Sequence, residues 1–331
     1  MRRMLKTFLF LLVAVCLCVP AMAELVFNMT TIGNPGNAPD SPYGDPEVLV
    51  GSVDYVYQIS TYEVTVSQYV AFLNAVAASD PYGLYHADMS DPLMTGGAIV
   101  TRSGEDGSYT YSSVAGKENQ PVRYVSFYDG LRLCNWLYNG QGDGDTEDGS
   151  YTLSDGKWLV RNEGATWVLA SKDEWHKAAY YDPETGTYNQ YPNGSDTIEY
   201  PTDGTTPRDQ NFGDDPYWAP DGPLNRQYIT SIGETTGYSA YGVCDMGGNV
   251  EEWTDFLNPP GYGYYRVVCG GTYADDESYL ARDGAISRDP AVESSGRGLR
   301  LVYLIPEPST IGLALLGFWV VRHCRKRRAM H

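Results

Sequence analysis

Side chains able to do chemistry are unevenly represented in this chain. Away from the two ends it carries three cysteines, Cys134, Cys244 and Cys269, and two histidines, His86 and His176. Acids, by contrast, number 42. The cysteine spacings, 110 and 25, match no zinc or redox motif. Three is odd, so at least one thiol is unpaired within a monomer. A Cys244–Cys269 disulfide would suit an exported protein. Neighbouring carboxylates such as Asp214 with Asp215 and Asp275 with Asp276 are of a type that can do acid–base work. So many acids also produce such pairs by chance. The run Asp143, Asp145, Glu147, Asp148 resembles a calcium loop but lacks the glycine at which an EF-hand turns, and it reads as a solvated hairpin.

Short elements must hold these groups. Residues 24–52, rich in Gly, Pro and Asn, read as an irregular opening segment. Val53 to Ile59 alternates as a strand does. Thr65 offers an N-cap to a helix with Tyr69, Phe72, Leu73 and Val76 at helical spacing. A second helix starts at Ser126 and aligns Phe127, Leu131, Cys134 and Tyr138, which makes Cys134 a core residue rather than a nucleophile. Ser171 and Glu174 form a capping box for a third, followed by Trp175, Ala178 and Ala179. His176 in that helix reads as a surface or packing residue, and His86 lies in a Tyr-rich loop. The hexapeptide EDGSYT occurs at Glu105–Thr110 and again at Glu147–Thr152, which predicts two similar hairpins. The long intervening stretches are dense in aromatics and read as ordered loops.

The ends differ from the body. Lys and Arg total 23 against 42 Asp and Glu, a formal charge of −19. Residues 1–23 hold three basic side chains and 309–331 five, with no acid in either, so the body stands at −27. Such a body repels phosphate backbones and excludes a nucleic-acid partner. With 42% hydrophobic residues, 28 Tyr and 7 Trp it can bury a core, which argues against disorder. Length alone suggests two domains of ~150 residues. Residues 1–23 have a basic start, an apolar run from Phe8 to Val19 and Ala21-Met22-Ala23, the form of a secretory signal peptide. At 306–331, Pro306-Glu307-Pro308 precedes an apolar stretch, Ile311 to Val321, and then Arg322 and Arg325 to Arg328. Positive charge beside an apolar segment stays cytoplasmic, so the body is expected outside. This order resembles the PEP-CTERM sorting signal. The resemblance implies an exported protein held in the membrane by its C-terminal tail, processed by an exosortase-type peptidase, and then placed at the cell surface or released.

Six motifs occur in order across residues 53–303: YEVTVSQYVAFLNAV at 62–76, PVRYVSFYDGLRLCNWL at 121–137, WVLASKDEWHKAAYY at 167–181, YGVCDMGGNVEEWTD at 241–255, CGGTY at 269–273 and GRGLRLV at 296–302. Together they resemble the formylglycine-generating enzyme (sulfatase-modifying factor) family. The resemblance implies an α+β fold, a single compact C-type-lectin-related domain with about three short helices, short antiparallel strands and little other regular structure. It overrides the two-domain expectation.

The family's chemistry follows its G-G-S-Y motif, where two cysteines bind copper and activate oxygen. Here the line is GGTYADDESYL, which places Asp275 at the first cysteine position and Leu280 at the second. A carboxylate is a poor Cu(I) ligand and leucine is none. Copper is therefore not expected, nor is formylglycine-generating activity. A related branch uses a three-histidine iron site, which His86 and His176 cannot fill. What the resemblance does imply is calcium, held by Asp245, the carbonyls of Gly248 and Val250, and Glu252, a hard oxygen set. A second family site maps to Asn211 and Phe212, with Asp221 as a further candidate.

Two functions follow as expectations. The first is an exported, calcium-stabilised binding or structural module whose tyrosines suit an extracellular polysaccharide or matrix ligand. The alternative is an enzyme of the same superfamily that uses a different site, with Asp275 and Asp276 where the family's pocket lies.

Overall fold

The structure, a computed structural model, describes residues 24–156, 158–199, 209–213, 229–258 and 264–306. Residues 1–23, expected to be a signal peptide, the tail beyond Pro306, Asp214, Asp215 and Asp221 lie outside the described residues. In chain order the first half contains β1 (Met29–Ile32), β2 (Tyr57–Ser60), α1 (Val66–Val76), β3 (Val100–Ser103), β4 (Thr110–Ser113) and α2 (Phe127–Tyr138). β5 (Trp167–Leu169), α3 (Lys172–Tyr180), β6 (Tyr181–Asp182) and β7 (Thr187–Tyr188) follow. The last part supplies β8 (Glu251–Leu257), β9 (Arg266–Cys269), β10 (Ile286–Arg288), β11 (Arg297–Gly298) and β12 (Leu301–Leu304).

Among the described residues the three α-helices all begin at reciprocal caps. Thr65 caps α1 with Gln68, Ser126 caps α2 with Asp129, and Ser171 caps α3 with Glu174. In each case two N–H groups that a helix start leaves unpaired are satisfied locally. The apolar spacing then buries one face: Tyr69, Phe72 and Leu73 on α1, Phe127, Leu131 and Cys134 on α2, Trp175, Ala178 and Ala179 on α3. Tyr138, aligned with the α2 core face by sequence, is instead exposed at the last turn.

Of the two four-stranded sheets among the described residues, one has the order β1-β2-β12-β5, all antiparallel, and the other β10-β9-β8-β11, while β3-β4 and β6-β7 form two-stranded sheets. Pairing of β2 with β12 joins the first and last parts of the domain, with Val302 opposite both Ile59 and Val168. Gly130 lets α2 close on this sheet, since a Cβ there would stand 2.7 Å from Leu299 Cδ2. β11 runs parallel to β8, an exception to the antiparallel expectation. The arrangement is a mixed α+β fold with low helical content, as expected.

Three local expectations need correction. The opening segment is not wholly irregular: β1 is a strand of the first sheet, and Asp40 bridges to Val50 and is buried. Its side chains, not its regularity, tie it down. The first EDGSYT does turn a hairpin between β3 and β4, but the second does not. There Glu147 is drawn to Arg132 (2.6 Å), and Asn135 and Asn139 of the α2 end bind the carbonyls of Thr146, Asp145 and Asp148, so the segment wraps the helix. Finally, Cys244 and Cys269 are both free and buried, with no disulfide between them.

Candidate functional site

β8 and the loop before it carry the residues singled out by the GGNVEEW motif. That loop turns sharply because Asp245, Gly248 and Asn249 all have left-handed backbone, at φ of 56°, 75° and 60°. At Gly248 a Cβ would sit 2.0 Å from the Asn211 carbonyl oxygen, so only glycine fits. Asn211 is held against the loop, its carbonyl accepting the Asn249 N–H (2.7 Å) and its amide donating to Asn249 Oδ1 (3.2 Å). The two candidate regions, Asn211-Phe212 and Asp245–Glu252, therefore form one structure.

Arg300, of the GLR motif, lies beneath this loop with no exposed surface. Its Nε donates to both oxygens of Glu252 at 2.8 Å. Nη1 donates to the Ser60 carbonyl, and Nη2 to those of Cys244 and Asp245. Glu252 Oε2 also accepts from Trp175 Nε1 (2.6 Å). Asp245 accepts from the Gly233 N–H (2.7 Å) and the Thr235 hydroxyl (2.5 Å). Glu63 completes the group: Oε1 accepts from Asn249 Nδ2 (3.0 Å), while Oε2, 3.9 Å from Arg300 Nη2, has no hydrogen-bond partner. Burial, and then the charge of Asp245, pushes the Glu63 carboxyl well above the usual range. Three buried carboxyl groups thus face one guanidinium.

The loop after β9 carries Asp275 and Leu280, the two positions that the motif comparison singled out. Asp275 folds back, its Oδ2 accepting the Thr272 N–H (2.9 Å), and its carbonyl accepts the Gly213 N–H (2.8 Å). Asp276 caps the next turn by accepting from the Ser278 N–H (2.9 Å) and the Ser278 hydroxyl. Both neighbouring carboxylates are thus engaged in turn geometry. Leu280 is fully buried, and its carbonyl accepts from the Tyr180 hydroxyl (3.0 Å). Burial pushes the thiols of Cys244 and Cys269 up to about 12, so both stay protonated at neutral pH. Among the described residues, no three His, Cys, Asp or Glu side chains gather closely enough to hold a metal ion. Beside this loop a cleft of about 510 Å³ is lined by Gln190, Tyr191, Glu277, Ser278, Tyr279 and Asp283 among others.

Sequence reasoning missed two further ionic clusters. Asp40 joins His176 Nε2 (2.9 Å) to Arg282 (2.9 Å), so His176 is a buried packing residue tied to the opening segment. Arg161 bridges Glu174 (2.6 Å) and Asp255 (2.5 Å), linking α3 to β8. No local pattern marks either, because the partners are 94 or more residues apart in three of these four pairs. The GLR motif itself was the available signal for Arg300. His86 is half-buried, and its Nε2 lies 3.2 Å from Glu293.

Residues 51–305 match the sulfatase-modifying factor enzyme 1-like domain, and the chain belongs to this family. No curated protein matches the chain. Among solved structures it is similar to Treponema denticola variable protein 1, at 20% identity and a TM-score of 0.55, covering 84% of this chain and 95% of that one. It is likewise similar to CarF, at 20% identity and a TM-score of 0.56, covering 85% of this chain and all of the other. At this identity the two likenesses concern the fold alone.

Proposed function

We propose that this protein is an exported member of the family that no longer performs the copper-dependent oxidation and acts as a binding module for an extracellular polysaccharide or matrix polymer. One observation carries the reading. At the two positions where the family motif has cysteines, a carboxylate is folded onto its own backbone and a leucine is sealed in the core. The cleft beside that loop supports the second half, since Tyr191 and Tyr279 line it together with the polar side chains of Gln190 and Asp283, a mixture of ring and polar atoms that suits sugars. The terminal sequences support export, surface sorting by an exosortase-type peptidase, and temporary membrane anchoring by the tail. Calcium belongs to the same proposal, held by Asp245, Glu252 and the carbonyls of Gly248 and Val250. This part of the proposal rests on the family resemblance: both oxygens of Glu252 and of Asp245 already accept hydrogen bonds, and Glu63 Oε2 is the one carboxyl oxygen of the group without a partner.

Glycan-array binding by the secreted body tests the ligand class. Binding that weakens tenfold or more in Tyr279→Ala supports the cleft; absence of binding to every glycan overturns the polysaccharide reading. The second reading, an enzyme working at a different site, has the His86–Glu293 pair in its favour. Burial and the nearby Asp88 push the Glu293 carboxyl up to about 7, a value suited to general acid–base work. Hydrolysis abolished by Glu293→Gln would establish it.

A further inference from the structure

The contact that diverts the second EDGSYT segment from a hairpin also builds a cleft. This cleft, of about 690 Å³, is lined by Tyr128 and Arg132 of α2 and by Glu147, Asp148, Thr152 and Leu153 of the segment that wraps the helix. Its size is that of a small-ligand site, for which about 300–1,000 Å³ is usual. It shares no lining residue with the cleft beside the loop after β9. The first EDGSYT forms nothing comparable, since Glu105 and Asp106 stand exposed at their hairpin.

The polar wall of this cleft is set before a ligand arrives. Arg132 donates from Nε and Nη2 to the two oxygens of Glu147, at 2.6 and 3.1 Å, a planar bidentate pair. The Tyr82 ring covers the guanidinium, with its centre 4.3 Å from Cζ. The Thr152 hydroxyl donates to Asp148 Oδ1 (2.8 Å) and accepts from Asn162 Nδ2 (2.9 Å). Between them the backbone closes on itself, the Leu153 N–H donating to the Glu147 carbonyl (2.9 Å). Groups held this way lose little freedom when a ligand binds.

What these bonds leave over defines the ligand. Among the described residues Arg132 Nη1 and Asp148 Oδ2 have no hydrogen-bond partner, and the Arg132 side chain is 14% exposed. The cleft thus offers a donor and an acceptor beside the ring of Tyr128 and the apolar Leu153. Sugar hydroxyls both donate and accept, and the C–H face of a sugar ring packs on an aromatic one. Two carboxylates against one guanidinium, on a body at −27, disfavour an anionic ligand. We propose that this cleft binds a neutral saccharide, with its C–H face on Tyr128 and its hydroxyls on Arg132 Nη1 and Asp148. The inference rests on the polysaccharide reading and adds to it a second, separate point of contact, through which one body gains avidity for a polymer.

The test is calorimetric titration of the secreted protein with neutral hexasaccharides (β-1,4-glucan, β-1,3-glucan and mannan) and with hexagalacturonate. Saturable binding of at least one neutral probe is expected, and none of the uronate. Asp148→Asn keeps an acceptor for Thr152 but removes the charged oxygen, and it should weaken binding roughly tenfold. Tyr128→Ala should do the same, whereas Asp106→Asn, the matched change in the first EDGSYT, should leave affinity as it is. Binding that survives Tyr279→Ala and falls in Asp148→Asn supports this cleft over the other. Binding that is lost in Tyr279→Ala and unchanged in Asp148→Asn overturns the proposal while the polysaccharide reading stands. Uronate bound as tightly as the neutral probes also overturns it, and no binding of any probe overturns both.

Discussion

Arg300 shows how one side chain fixes the chemistry around it. It is the only cation bonded to Glu252 among the described residues, and it also holds the Cys244 and Asp245 carbonyls in place. Arg300→Met should cost about 3–5 kcal/mol in urea denaturation, because it strands buried carboxylates without a cation. A loss below 1 kcal/mol would show that the network is not what holds the loop. Two other buried carboxyls make stability depend on pH. Burial pushes Asp129 up to about 7, and burial with Asp88 does the same for Glu293. Between about pH 4, where an unfolded carboxyl releases its proton, and about 7, the folded state holds more protons than the unfolded one. The contribution of these groups is fully present at the acid end and is lost as pH rises. Glu293→Gln should therefore gain stability relative to wild type as pH increases from 5 to 8; a difference independent of pH would contradict the assignment.

Elements were legible in sequence where their determinants are local. Thr65, Ser126 and Ser171 announce the three helices because a cap and its partner lie three residues apart. Ser171→Ala should destabilise the protein by about 1 kcal/mol in urea denaturation, the usual worth of an N-cap; no measurable loss would mean that tertiary contacts alone hold α3. Strand pairing was less legible, since β1 finds β2 and β12 finds β5 only through the whole chain. The second EDGSYT shows the limit well. Its turn residues equal those of the first, yet Arg132 and the α2 asparagines decide its course. The loop before β8 was legible as a motif, and its glycine gives the sharpest element-level expectation. Gly248→Ala places a methyl group onto the Asn211 carbonyl, so soluble yield and Tm should both fall steeply. A variant that melts like wild type would refute the close approach.

For the whole molecule, the family resemblance gave the fold and the order of the motifs, while the charge networks that bind the parts had no signature. His176 with Asp40, and Arg161 with Glu174 and Asp255, tie the opening segment, α3 and β8 into one unit. The proposed calcium adds a further tie at the same centre. EDTA should lower the Tm of the wild type and calcium should restore it; an identical melt with and without EDTA would remove calcium from the account. Among the described residues no helix is long and apolar enough to cross a membrane. The proposed anchoring therefore rests on the C-terminal sequence alone, from Ile311 to Val321.

The loss of the family's oxidation chemistry is the central claim, and it is open to a direct measurement. The purified body is loaded with Cu(I), copper is counted per chain, and oxygen uptake is followed with a cysteine-containing sulfatase peptide. Neither stoichiometric copper nor peptide-dependent oxygen consumption is expected, because Asp275 and Leu280 offer no thiolate pair. One copper per chain with oxygen consumed in step with peptide oxidation would contradict it.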